Sequence, residues 1–345
     1  MGKNTREQEK ISFLKFIRIL KRGVYNLIEN KSMVVSFELT NSCNANCRHC
    51  DSGGIKREEH LLKPEEYGII TKKLNPVAVQ ISGGEPLLRR DVIEIVREIR
   101  KLGSLPLIVL VTNGALLDEE KYVKLKEAGV NYFAVSLDFP DKRHDEWRSM
   151  PGLFSRLRKR IPQLASLGRR DIVLNAAITR ENLPYLLDLA EIAEHWGVSI
   201  SYSAYSSLRT GDKSLSISSE DDLRILRQKI KDLIKIKRGK DLIPTPAWSL
   251  EKIYRFFEDG FIPHCLAGIR SLVVTPEGYI IPCSMQRAKF SSREELIKDF
   301  PPRNNCGECY VSIRSWGERT VYNILEEGIF LVGDYLKRGL AKIAK

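Results

Sequence analysis

The sequence has no apolar run long enough to cross a bilayer; every candidate stretch is cut by Lys or Arg. A membrane-spanning helix is therefore not expected. A secretory signal is missing too, because Lys15, Arg18, Lys21 and Arg22 interrupt the apolar stretch near the N-terminus. The expected location is cytoplasmic. There are no internal repeats, no helix-turn-helix signature and no aromatic-plus-Arg single-strand motif. No nucleic-acid partner is expected, despite a net charge of +12. Gln is scarce while Lys, Arg, Glu and Ile are plentiful, a thermophile-like balance. The sequence also lacks an even complement of cysteines. Seven cysteines in 345 residues of a cytoplasmic chain argue against a disulfide framework and toward metal or redox chemistry.

What is present is a rhythm. Between Val34 and Ala204, short runs rich in Val and Ile alternate with amphipathic segments. Strands are expected at 34–40, 77–82, 106–111, 132–137, 172–177 and 198–204. Helices are expected at about 64–73, 91–102, 118–128, 153–167 and 182–196. Pro64 with Glu65 and Glu66 marks a helix start. Asp91 is a candidate cap for the second helix, and Asn182 with Pro184 a candidate opening for the fifth. Repeated strand–helix units imply a parallel sheet with right-handed crossovers. Six strands suit a doubly wound sheet or an incomplete barrel. Polar clusters follow the strands at 41–50, 83–86, 112–114, 136–138, 175 and 202–203. In a barrel these ends converge on one mouth. The expected fold class is α/β, a partial (β/α)6 TIM-like barrel with a small C-terminal domain.

Both ends carry basic amphipathic segments. Phe13, Leu14, Ile17, Leu20, Val24, Leu27 and Ile28 form one apolar stripe, and the segment from Thr320 to Lys345 is similar. Such helices either pack on the barrel or dock on a membrane surface.

Three cysteines fall in Ser42-Cys43-Asn44-Ala45-Asn46-Cys47-Arg48-His49-Cys50. Three thiolates on one loop can hold three irons of a cubane and leave the fourth iron open. A zinc knuckle completed by His49 or His60 is the alternative, but structural zinc sites use paired spacing. The loop, directly after the first strand, resembles the signature of the radical S-adenosylmethionine (SAM) superfamily. The resemblance implies a [4Fe–4S] cluster on Cys43, Cys47 and Cys50 whose open iron chelates SAM. It further implies reductive cleavage to methionine and a 5′-deoxyadenosyl radical, which takes a hydrogen atom from substrate. The residue before the last cysteine is often aromatic in that family; here it is His49, which could pack against the adenine.

The resemblance extends over about residues 34–205. Gly83, Gly84, Glu85 and Pro86 resemble the family's GGEP element, expected to approach the methionine ammonium, with Glu85 adding negative charge. Asn113 in Thr112-Asn113-Gly114 also matches. Ser136 and Asp138 resemble a ribose-contacting element. Arg148 falls where related enzymes place an Arg on the cofactor carboxylate, with a surface salt bridge as the alternative. Asn175 is a cofactor contact or a structural cap.

The remaining cysteines, Cys265, Cys283, Cys306 and Cys309, supply four soft ligands for either a closed zinc site or a fully ligated iron–sulfur cluster. A hairpin is expected at 272–275 and 279–282. The pattern is similar to the shortened SPASM domain called twitch, which implies an auxiliary [4Fe–4S] cluster. Three plus four cysteines leave no free thiol. Tyr202, Tyr205 and Tyr310 are then the candidate hydrogen donors, although most tyrosines are simply packed.

The expected organisation is an N-terminal helix at 1–33, the core at 34–205, a helical connector at 206–260, the auxiliary domain at 261–316 and a C-terminal helix at 317–345. The expected partners are a low-potential donor of ferredoxin or flavodoxin type and a small-molecule, cofactor-precursor or lipid substrate. A peptide substrate is disfavoured, because peptide-modifying relatives often carry a leader-binding domain and only about 33 residues precede the first strand. A non-catalytic metal protein is the remaining alternative.

Overall fold

The computed structural model describes residues 13–323 except 59, 168 and 169. Six strands run in sequence order as parallel neighbours: β1 (Val34–Glu38), β2 (Ala78–Ser82), β3 (Leu107–Thr112), β4 (Tyr132–Ser136), β5 (Ile172–Ile178) and β6 (Ser199–Ala204). Each return passes through helix: α2 (Pro64–Leu74), α3 (Val92–Arg100), α4 (Glu119–Ala128), α5 (Arg143–Arg148) with α6 (Leu153–Ala165), and α7 (Leu186–His195). This is a partial (β/α)6 barrel, as the strand–helix rhythm predicts.

Alternation along the strands separates two faces. Phe37, Val79, Ile81, Ile108, Leu110, Phe133, Val135, Leu174 and Ile200 are fully buried against the helices in one continuous core. Their neighbours Glu38, Gln80, Ser82, Ser136, Asn175 and Ser201 are only half-buried and face the concave side. That lumen is polar: the Ser36 and Ser82 hydroxyls lie 2.9 Å apart, and Ser201 donates to Asn175 Oδ1 at 3.0 Å.

Two expected caps act differently. The Asp91 carboxylate gives no capping bond and pairs with Arg89 at 2.6 Å, because its backbone is not in the extended form that aims a cap. Asn182 donates to the carbonyls of Asp138 (3.1 Å) and Ala177 (2.8 Å), stapling the loop after β4 to β5.

The segment at 206–260 is more than a connector. α8 (Glu220–Gly239) is capped by Ser219, whose hydroxyl accepts from Asp222 N at 3.1 Å. It lies against α9 (Ala247–Asp259), and Leu226, Ile230, Leu233, Leu250, Ile253 and Phe257 join the barrel core. β7 (Ser271–Val274) then pairs parallel to β1, and β8 (Ile280–Ile281) pairs antiparallel to β7 as the expected hairpin. On the other side, Ala204 N at the end of β6 donates to Tyr310 O at 3.1 Å. The cysteine-bearing C-terminal segment therefore bridges the open side of the barrel, from β1 to β6. Two short helices, α10 (Arg293–Asp299) and α11 (Ser312–Gly317), complete it.

α1 (Phe13–Ile28) settles beneath the barrel. Ile19 packs with Val34, Ala78 and Leu107 at the N-terminal ends of β1–β3, together with Ile313 and Trp316 of α11. Leu27 packs with Met33 and Val77. The apolar stripe thus has a partner in the fold at these positions. The C-terminal amphipathic segment lies outside the described residues beyond 323. No helix among the described residues is long and apolar enough to cross a membrane.

Candidate active site at the barrel mouth

The first cysteine loop leaves the C-terminal end of β1 and is tied to three other strand ends. Gly84 N donates to Thr40 O (2.7 Å) and Glu85 N to Ser42 O (2.8 Å), fixing the turn after β2. Asn113 Nδ2 donates to Asn44 Oδ1 at 2.7 Å, fixing the turn after β3. Asn46 N donates to Arg148 O (3.2 Å) and Arg48 N to Trp147 O (3.1 Å), fixing the segment after β4. Within the loop, Cys50 N donates to Cys47 O at 3.1 Å and Ala45 N to Cys43 Sγ at 3.5 Å.

The glycines serve this closure. A methyl group on Gly84 would stand 2.0 Å from Ser42 O, and one on Gly83 2.5 Å from Thr40 O. In this structure the two glycines let the turn after β2 lie directly on the backbone of the cysteine loop. Glu85 also braces the mouth. Its carboxylate is buried and accepts from Thr112 Oγ1 (2.7 Å), Asn113 N (2.8 Å) and Leu87 N (3.1 Å), so it joins the turns after β2 and β3. Burial raises its pKa, against the pull of those donors. Pro86 is buried behind it.

Asp138 and Arg148 also face each other rather than open space. Arg148 donates to Asp138 Oδ2 from Nε (2.8 Å) and Nη2 (2.5 Å), while Nη1 approaches Cys47 Sγ at 3.5 Å. The salt bridge is therefore a buried one beside a cysteine rather than a surface one. Ser136 and Asn175 line the lumen, in register on adjacent strands. His49 lies against Trp147, with ring centroids 5.4 Å apart and a tilt of 16°. Its Nδ1 is buried without a partner among the described residues.

Of the three candidate hydrogen donors, Tyr202 and Tyr205 spend their hydroxyls on backbone carbonyls, while the buried Tyr310 hydroxyl has no partner among the described residues. Tyr202 falls on the helix-facing side of β6 by strand alternation and donates to Leu186 O at 2.7 Å. Tyr205 is buried with Phe139, Trp147 and Leu215, and its hydroxyl donates to Asp212 O at 2.8 Å. Tyr310 is buried beside the Ser249–Ser315 hydroxyl pair.

The second cysteine group is organised by Arg314, which sequence reasoning missed. Its buried guanidinium donates to the carbonyls of Cys309 (2.7 Å), Ile262 (2.7 Å) and Pro263 (3.1 Å) and pairs with Glu318 at 2.6 Å. Asn304 adds a link, donating to Cys265 O (3.0 Å) and accepting from Cys306 N (3.1 Å). Gly307 is required because Ile262 O would lie 2.6 Å from its methyl replacement.

A second missed residue is Glu38. It is the only charged residue in the six barrel strands, and its Oε1 accepts from the hydroxyl of Ser284, beside Cys283, at 2.8 Å. A lone Glu in a Val-rich strand was the available signal.

The thiols behave as two electrostatic groups. Burial raises Cys43 to about 11, and Cys47 and Cys50 add to the rise. Burial likewise raises Cys283 to about 11 and Cys309 to about 12, with Cys265 and Cys306 contributing to both. Buried thiols that resist ionising together suit a cationic centre that compensates their charge. Among the described residues, no three His, Cys, Asp or Glu side chains are placed to share one metal ion. All seven cysteines are free of disulfides. Three soft thiolates on one loop, Cys43, Cys47 and Cys50, are a donor set that fits an iron–sulfur cluster.

Comparison with known proteins agrees. The family model described as "Radical SAM superfamily" matches residues 37–193. An AdoMet-dependent heme synthase of Oleidesulfovibrio alaskensis is 32% identical over 176 residues, 48% of this chain and 43% of that protein. The chain therefore spans less than half the length of that relative. A probable GTP 3′,8-cyclase of Saccharolobus islandicus is 30% identical over 255 residues, 71% of this chain and 80% of that protein. Among solved structures, SuiB of Streptococcus suis bound to S-adenosylmethionine superposes with a TM-score of 0.61 at 19% identity, covering 79% of this chain and 67% of that one. With the barrel, the cysteine loop and the turns that brace it, these similarities establish that the chain belongs to the radical SAM superfamily.

Proposed function

We propose that the chain is a two-cluster radical SAM enzyme that abstracts a hydrogen atom from a small-molecule or cofactor-precursor substrate. The observation that carries this is the Cys43–Cys50 loop at the end of β1, braced by Gly84, Asn113 and Arg148 around one mouth. Cys43, Cys47 and Cys50 would hold a [4Fe–4S] cluster with an open iron; Cys265, Cys283, Cys306 and Cys309 would hold an auxiliary one in a twitch-type domain. When bound, the first cluster supplies the electron that cleaves SAM to methionine and a 5′-deoxyadenosyl radical. Ser136 and Asn175 line the lumen where the nucleoside would lie, and Arg148 keeps a positive charge beside Cys47. The auxiliary cluster, closed by four cysteines, would move an electron rather than bind substrate. A low-potential acidic donor suits a chain of net charge +12.

The substrate class draws support from curated relatives named for heme and GTP chemistry, both small-molecule reactions. A lipid substrate rested on the amphipathic ends, and Ile19 and Leu27 of the first end pack on the barrel floor. The test is anaerobic reconstitution of the full chain, with iron and sulfide analysis and detection of 5′-deoxyadenosine on reduction. Two clusters' worth of iron and SAM cleavage are expected. Replacing Cys306 and Cys309 by Ala should remove one cluster's worth and abolish substrate turnover. Normal turnover in that double variant would sink the auxiliary-cluster reading.

A further inference from the structure

Three loops at the mouth converge on one carboxylate. Asp51 directly follows Cys50. Arg209, in the loop after β6, donates from Nε to Asp51 Oδ1 at 2.7 Å, and its Nη2 lies 2.6 Å from the same oxygen. Arg287, four residues after Cys283, donates from Nη2 to Asp51 Oδ2 at 2.6 Å. One negative charge therefore faces two guanidinium groups, and the cluster carries a surplus positive charge. The nearest other acid on the Arg209 loop, Asp212, is engaged by Ser214, whose backbone N and hydroxyl donate to Oδ1 at 2.9 and 2.6 Å.

The donor count points the same way. An Arg offers five N–H groups in a planar fork suited to bidentate anion binding. Arg209 also donates to Ser52 Oγ at 2.6 Å, and Arg287 makes no other hydrogen bond among those described. Arg209 is held, with 18% of its side chain exposed, whereas Arg287 is 59% exposed. Such a cluster has one fixed cation, one adjustable cation and an internal anion that occupies them in the absence of a ligand.

We propose that Arg209 and Arg287 form an anion-recognition site at the barrel mouth that receives a carboxylate or phosphate group of the substrate, with Asp51 as the internal competitor the ligand displaces. This rests on the mouth being where substrate enters, and it adds the class of substrate: a molecule bearing at least one such anionic group. Because Arg287 belongs to the Cys283 loop and Asp51 to the Cys50 loop, the anion would bind at the seam between the two cysteine groups.

The sign of the Asp51 effect separates this from a structural role. Inorganic phosphate and, separately, glutarate are titrated calorimetrically into the anaerobically reconstituted full chain and its variants. Arg209→Gln and Arg287→Gln should each weaken binding, and Asp51→Asn should tighten it by about fivefold, the size expected for removing a half-exposed competing charge. The double variant Asp51→Asn with Arg287→Gln should lose that gain. Preference for phosphate or for glutarate identifies which anion the site favours, and saturable binding of either supports the proposal. It is overturned if neither probe binds, if Asp51→Asn weakens binding or leaves it unchanged, or if the double variant keeps the tighter affinity. Radical chemistry is read independently, as 5′-deoxyadenosine from the wild-type chain, so failure of one reading is not failure of the other.

Discussion

Arg148 and Asp138 form an ion pair at 2.5 Å in which the Asp138 carboxylate is wholly buried and Arg148 nearly so. The pair also binds structure around it: Asp138 Oδ1 accepts from Ala177 N at 3.2 Å, and Arg148 Nη1 approaches Cys47. Burial alone would raise the Asp138 pKa, but the charge of Arg148 and its hydrogen bonds outweigh it and hold the carboxyl below its usual range. Its contribution to stability is present above the ordinary carboxylate pKa and is lost as pH falls through the depressed folded value. Asp138→Asn should cost about 3–5 kcal/mol in urea unfolding, because it strands a buried guanidinium. A loss below about 1 kcal/mol would show that water reaches Arg148.

His144 predicts a separate pH response. Its Nδ1 accepts from Asp138 N at 3.2 Å, so the ring is neutral with its proton on Nε2. Burial, then the Arg148 charge, lowers its pKa to about 3. The unfolded chain takes up a proton near the ordinary His value of about 6.5 while the folded chain does not, so stability declines as pH falls below that value. Between pH 7 and 5 this one group should remove about 2 kcal/mol. Denaturant unfolding of wild type and His144→Gln at the two pH values measures it; equal slopes in both proteins would refute the assignment.

The local periodicities of the sequence account for much of this architecture. The six barrel strands are legible in Val- and Ile-rich runs, and both cysteine groups in their spacing. Less legible was what a residue faces. Glu85 and Asp138 read as cofactor-contacting acids at strand ends, and the sequence does not show that each is also buried and held by donors from another loop. Nothing local to either residue encodes Asn113 or Arg148 as its partner. The pairing of β7 with β1 is likewise a contact across more than two hundred residues. α9 was not singled out because it falls within the stretch expected as a helical connector.

Two glycines should respond in opposite ways. Gly84→Ala places a methyl group 2.0 Å from the Ser42 carbonyl oxygen, and backbone on backbone cannot yield as a side-chain tip would. The cysteine loop must then shift, and reconstituted iron should fall with it. Gly239, the last residue of α8, has open space where a Cβ would stand and no left-handed backbone. Gly239→Ala should leave iron content unchanged and raise stability by up to about 1 kcal/mol through reduced chain entropy. Iron analysis and thermal unfolding of the two variants side by side test this; normal iron loading in Gly84→Ala would mean the turn is not braced as described.

Tyr202 tests the strand parity on which the whole lumen depends. Ser201 and Ser203 point to the concave side, so Tyr202 must point to the helices, and its hydroxyl reaches Leu186 O at 2.7 Å. Burial pushes its pKa well up, in keeping with a phenol sealed from water. Tyr202→Phe keeps the ring and removes one hydrogen bond, so it should cost about 1 kcal/mol of stability. Substrate turnover and 5′-deoxyadenosine formation should both stay at wild-type rates, since no reacting atom lies on that side of β6. If turnover collapsed while the unfolding transition moved by no more than that amount, Tyr202 would have to reach the lumen. The register of β6 would then be shifted by one residue, and Asn175 and Ser201 would no longer be hydrogen-bonded neighbours inside the barrel.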